Sequence, residues 1–94
     1  MKKFLLFASI AFLAFGCSKP NADFTVKVIG TNVRCSAATS TADSYVWIWG
    51  DNTSDNSQGW MATHTYAKAG DYTITLSVDK NGKLAERSKR IYIP

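Results

Sequence analysis

Few residues in this chain of 94 amino acids carry the chemistry of a catalytic site. His64 is the only histidine, and a nucleophilic triad would have to combine it with Ser44 or Ser57 and an aspartate. No nucleophile-elbow pattern surrounds either serine. Asp51, Asp55 and Asp79 offer carboxylates, but a glycosidase pair needs a cleft that so small a domain seldom builds. These residues point away from an enzyme. Asp51, Asn52, Asp55 and Asn56 fall within six residues, and carboxylate and amide oxygens are calcium ligands. EF-hand spacing is absent, and turns use the same residue types, so no cofactor is expected beyond that one calcium possibility.

The two cysteines stand in unlike surroundings. Met1-Lys2-Lys3 is a positive start, and residues 4–15 form an apolar or small-residue run broken only by Ser9. Such a start, followed by a small residue at the boundary, matches an export signal. The run is too short to span a hydrocarbon core, which takes about 20 residues. Leu13-Ala14-Phe15-Gly16-Cys17 resembles a bacterial lipobox, in which the cysteine is lipidated and becomes the first residue of the mature protein. Acyl chains contribute about 0.8 kcal/mol per buried methylene, so several of them anchor a small domain without spanning the membrane. The expected organisation is a signal at residues 1–16, a lipidated cysteine and tether at 17–21, and one domain at 22–94. Ser18 is not the aspartate associated with inner-membrane retention. The expected location is therefore the bacterial cell envelope at the outer membrane, facing the periplasm or the surface, with the membrane as partner through Cys17.

Export changes the charge balance. The chain carries a formal +4, from eleven basic and seven acidic residues. Removing Lys2 and Lys3 leaves nine against seven, or +2. A nucleic-acid partner calls for a strongly basic, clustered surface, and none is expected here. Lys80, Lys83, Arg87, Lys89 and Arg90 crowd the end of the chain and read as an edge strand protected by charge.

The elements that hold these residues alternate with a period of two. Phe24, Val26 and Val28 alternate with polar residues, as do Val33, Cys35 and Ala37. Tyr45, Trp47 and Trp49 face one way and Val46 and Ile48 the other. Tyr72, Ile74, Leu76 and Val78 alternate with Thr73, Thr75 and Ser77, the clearest strand in the chain. Asn81-Gly82 is a hairpin turn, since both positions tolerate positive φ. No helix and no internal repeat is evident. Short strands at this spacing predict a two-sheet sandwich.

Tyr45-Val46-Trp47-Ile48-Trp49-Gly50-Asp51-Asn52 resembles the Trp-Asp-Phe-Gly-Asp-Gly signature of the PKD (polycystic kidney disease) domain. His64-Thr65-Tyr66 followed by Gly70-Asp71-Tyr72-Thr73-Ile74-Thr75-Leu76-Ser77-Val78 is similar to that family's second motif, and Ala22-Asp23-Phe24 to its opening strand. The resemblance implies an all-β, immunoglobulin-like β-sandwich of about seven strands, used as an extracellular spacer or interaction module. On that pattern Trp47, Trp49, Gly50, Asp51, His64, Tyr66, Gly70 and Tyr72 build the fold. Tyr72 would take the place of a tyrosine corner, and Cys35 would be a buried unpaired thiol in the place of the first immunoglobulin cysteine.

Function is then sought where the chain departs from the family. Ile48 stands where the family has an acidic residue, and Val46 and Ile48 form an apolar pair on the outward face. They are either ordinary exposed residues or a docking surface. Residues 57–63 read as a polar loop carrying Trp60 and Met61. Trp60 is either a contact platform for a sugar ring or protein, or a cap folded over the sandwich. The expected function is a non-catalytic binding module for polysaccharide or protein. The alternative is an accessory subunit docked on a larger envelope complex.

Overall fold

Alternation of apolar and polar residues yields seven strands, all in antiparallel pairs: β1 (Thr25–Ile29), β2 (Asn32–Ser36), β3 (Ser44–Ile48), β4 (Ser54–Asp55), β5 (Met61–Thr65), β6 (Gly70–Lys80) and β7 (Lys83–Ile93). The computed structural model describes residues 20–38 and 40–94, and these contain no helix. The proposed signal at 1–16 and Cys17 lie outside the described residues. Strands β1-β2-β5 form one sheet and β4-β3-β6-β7 the other. The result is an all-β, immunoglobulin-like sandwich.

The two inner faces supply the core. Val33, Cys35 and Ala62 from the first sheet meet Trp47, Ile74, Leu76, Val78, Ile91 and Ile93 from the second, all buried. Apolar burial of this kind is the main favourable term in folding. Six rings run through it in sequence, each in contact with the next: Phe24, Trp47, Trp49, His64, Tyr66 and Tyr72, at centroid separations of 4.1–5.9 Å.

The longest pairing is β6 with β7, in register from Gly70↔Ile93 to Lys80↔Lys83. Its turn has φ of 54° at Asn81 and 80° at Gly82, which two-residue hairpin turns of the primed type require. Strand β7 is an edge strand and carries Lys83, Arg87, Lys89 and Arg90 of the basic cluster, while Lys80 ends β6.

Three expectations need correction. The opening strand begins at Thr25, although Ala22 and Phe24 ahead of it are buried. The segment at 57–63 is not all loop, because Met61 starts β5, which pairs with β2 from Ser36↔Met61 to Asn32↔Thr65. Its polar alternation, Met-Ala-Thr-His-Thr, buries Ala62 and half-buries His64. The two-residue β4 was also not anticipated.

Candidate functional site

Gly50, two residues past the end of β3, has φ of 86°, and a Cβ built on it would lie 2.5 Å from the backbone oxygen of Thr73. Only glycine lets the chain leave the strand so close to β6. The turn that follows is closed by Trp49 N–H donating to Thr53 O at 3.1 Å. Asp51 Oδ1 accepts from the Thr53 N–H at 3.2 Å and from the Thr53 hydroxyl. Its other oxygen accepts from His64 Nε2 at 2.8 Å. The His64 ring stacks on Trp49 at 4.7 Å and 5°. Tyr66 donates its hydroxyl to the buried Trp49 carbonyl at 2.6 Å, and Tyr72 donates to Lys68 O at 2.8 Å, the corner expected of it. The two sequence motifs are thus tied to each other by Asp51–His64 and Tyr66–Trp49. Gly70 opens β6 with φ of 143°.

Electrostatics follows from this wiring. Burial works against the charged form of Asp51, but hydrogen bonds from Thr53 and His64 outweigh it and hold its carboxyl below the ordinary carboxylate range. Asp55 is also lowered, by the Ser57 N–H, the Ser57 hydroxyl and the Gln58 amide. Burial pushes the Cys35 thiol up to about 12, and Cys35 is free. Both oxygens of Asp51 and of Asp55 accept hydrogen bonds within their own turns or from His64. Asn52 has φ of 69° and serves as a turn residue. Among the described residues no group of three or more His, Cys, Asp or Glu side chains could hold a metal ion.

The four binding candidates fall on different surfaces. Trp60 and Met61 are 47% and 48% exposed. Trp47 Nε1 donates to Gly59 O at 2.8 Å, and Ala37 N–H donates to Trp60 O at 2.8 Å, so the backbone under Trp60 is fixed while its ring meets solvent. Met61 shares a cross-strand row with Ser36 and Thr25 on the outer face of the three-stranded sheet. Val46 and Ile48 lie on the outer face of the other sheet, opposite Ser77 and Thr75. Val46 is half-buried and Ile48 exposed, beside a groove of about 440 Å³ lined by Ile48, Gly50, Asn52, Thr53 and Ser54.

One feature of the three-stranded sheet was missed in the sequence. Its outer face brings Lys27, Arg34 and Thr63 into one row, next to a cavity of about 250 Å³ lined by Ile29, Asn32, Val33, Arg34 and Thr63. The alternation of β1 and β2 already placed Lys27 and Arg34 outward. Their adjacency to Thr63 needed β5, which had read as a loop.

A family model described as the PKD domain matches residues 20–93. The chain belongs to the PKD-domain family. Solved PKD domains share its architecture. The PKD1 domain of the Vibrio cholerae metalloprotease PrtV superimposes with a TM-score of 0.71 at 31% identity, covering 81% of this chain and 98% of that one. The PKD1 domain of Vibrio anguillarum Epp gives 0.69 at 23% identity, covering 81% and 94%. A structure from work on promiscuous carbohydrate-binding modules of the β-sandwich superfamily gives 0.72 at 29% identity, covering 80% of this chain and 34% of that one. In this PKD domain the last glycine of the family signature is replaced by Asn52, whose left-handed backbone meets the same conformational demand at a higher cost.

Proposed function

We propose that this PKD domain is a non-catalytic binding module held at the bacterial outer membrane by lipid on Cys17, with a polysaccharide as its ligand. The observation that carries the proposal is Trp60, a tryptophan left nearly half exposed on an anchored backbone next to the exposed Met61. An indole face in that position can stack on the apolar face of a sugar ring. A solved structure from work on carbohydrate-binding modules, 29% identical over a third of its length, favours a glycan over a protein. Catalysis has no part in this reading, because His64 is committed to Asp51 and Trp49 inside the fold. A net +2 after loss of the signal gives no basis for a nucleic-acid partner. Calcium enters only as the alternative use of Asp51, Asn52 and Asp55.

Glycan-array binding of the purified protein tests the reading. Trp60→Ala should abolish the glycan signal while the far-UV spectrum and Tm stay near wild type. Loss of the fold in that variant would assign Trp60 to the core instead. Radiolabelled palmitate should enter the wild-type chain and not Cys17→Ala.

A second reading rests on Ile48 and the groove beside it: an accessory subunit docked on an envelope complex through Val46 and Ile48. Val46→Thr/Ile48→Thr should then free the protein from cross-linked partners in membranes without unfolding it. Unchanged co-purification counts against docking.

A further inference from the structure

We propose that the outer face of the three-stranded sheet binds an acidic polysaccharide, a polymer of uronic acids or similarly carboxylated sugars. This rests on the polysaccharide reading above and adds the charge of the ligand and a second set of residues.

The register lays nine outward residues in three rows: Thr25–Ser36–Met61, Lys27–Arg34–Thr63 and Ile29–Asn32–Thr65. Lys27 and Arg34 sit directly opposite each other on neighbouring strands. Like charges in that relation destabilise a sheet. No aspartate or glutamate occupies the other seven positions, and neither cation has an ion-pair partner among the described residues. Arg87 and Lys89 of β7 differ, standing 3.8 and 3.9 Å from Asp23. An unneutralised pair at the centre of a sheet face is relieved by an external anion.

The surroundings select the class of anion. The neighbouring cavity is lined by Arg34, Thr63, Asn32, Val33 and Ile29, the last itself 47% exposed. Asn32 Oδ1 accepts from the Thr65 hydroxyl, which leaves the amide N–H groups to donate outward. A guanidinium takes a carboxylate in bidentate fashion, and amide and hydroxyl groups match ring hydroxyls. Ile29 at one end and Met61 at the other offer apolar surface to sugar rings. From the first row to the third is four residue steps, about 13 Å along the strands, long enough for more than one ring. Interleaved hydroxyl, amide and charge on a face without a broad apolar patch fits a carboxylated polymer better than a protein surface.

Affinity electrophoresis of the purified protein in gels containing polygalacturonate, alginate or neutral dextran tests the proposal. Wild type should be retarded by the uronate polymers, less so as salt rises. Lys27→Ala/Arg34→Ala should bind them about tenfold or more weakly. Lys83→Ala/Arg90→Ala removes the same charge from the other sheet and should bind as wild type does. Equal weakening in both double variants would reduce the effect to net charge and overturn the site. Uronate binding lost in Trp60→Ala but kept in Lys27→Ala/Arg34→Ala would leave the polysaccharide reading standing and overturn this one. Retardation by no polysaccharide overturns both. Equal, Lys27- and Arg34-dependent binding to phosphatidylglycerol vesicles would replace the glycan with a lipid surface.

Discussion

Replacing Gly50 by alanine adds one methyl group, and the structure says what that group meets. A Cβ there falls 2.5 Å from Thr73 O, 3.0 Å from Thr73 N and 3.2 Å from Thr73 C, all backbone atoms of a central strand that cannot swing aside. The φ of 86° adds a second cost, about 1–2 kcal/mol for a residue with a Cβ in left-handed backbone. Overpacking against a fixed neighbour costs about 1–3 kcal/mol. Gly30 separates the two contributions. Its φ is 63°, but nothing lies within 4 Å of its Cβ position, so Gly30→Ala carries the backbone cost alone. A domain of this size loses about 4–8 °C of Tm per kcal/mol. Gly50→Ala should therefore melt roughly 10 °C or more below wild type, and at least about 4 °C below Gly30→Ala. Differential scanning calorimetry of the three proteins reads both differences. Coincident melting of the two variants would refute the steric contact with Thr73.

Three further expectations concern the links between the motifs. Tyr66→Phe removes the hydroxyl that donates to the buried Trp49 carbonyl and should cost about 1–3 kcal/mol in denaturant unfolding; an unchanged midpoint would mean that water replaces it. Asp51 has a folded pKa below its ordinary 3.8, so its stabilisation is present above that value and is lost as pH falls through the lower folded one. Wild-type Tm should decline below about pH 4, and Asp51→Asn, less stable at pH 7, should decline less steeply over the same acid range. Cys35, with its thiol pushed up to about 12 by burial, should resist iodoacetamide at pH 8 in the folded protein and react in denaturant, as mapped by mass spectrometry. Equal rates in both states would contradict its burial.

Much of the fold was legible because local and global signals agreed. Trp47 and Trp49 on one side of a strand, the β6 alternation and Asn81-Gly82 all specify the same sandwich, and each occupies the place its pattern implies. Strand β5 was hard to see because a short edge strand needs only one apolar anchor, here Ala62, between polar neighbours. The partner of Asp51 was also hidden. A turn aspartate needs only Thr53, and nothing in the spacing of 13 residues announces that its second oxygen meets His64. For the candidate site, outward orientation could be read strand by strand, as for Lys27 and Arg34. Which outward residues become neighbours depends on sheet order, and β1-β2-β5 skips two strands in sequence.

With a lipid on Cys17, the burial of Ala22 and Phe24 would set the stand-off of the whole domain. Ala22 is five residues from Cys17, a span of at most about 18 Å even when fully extended. A lipid on Cys17 would therefore act as a short leash, with the sandwich riding almost on the bilayer. The chain enters β1 at Thr25, the Ser36–Met61 row, so that end of the three-stranded sheet would stand closest to the lipid and the Ile29–Asn32–Thr65 end farthest. A polymer would then meet the sheet end-on from the distal row, and only one that approaches within a domain's height of the membrane would come within reach.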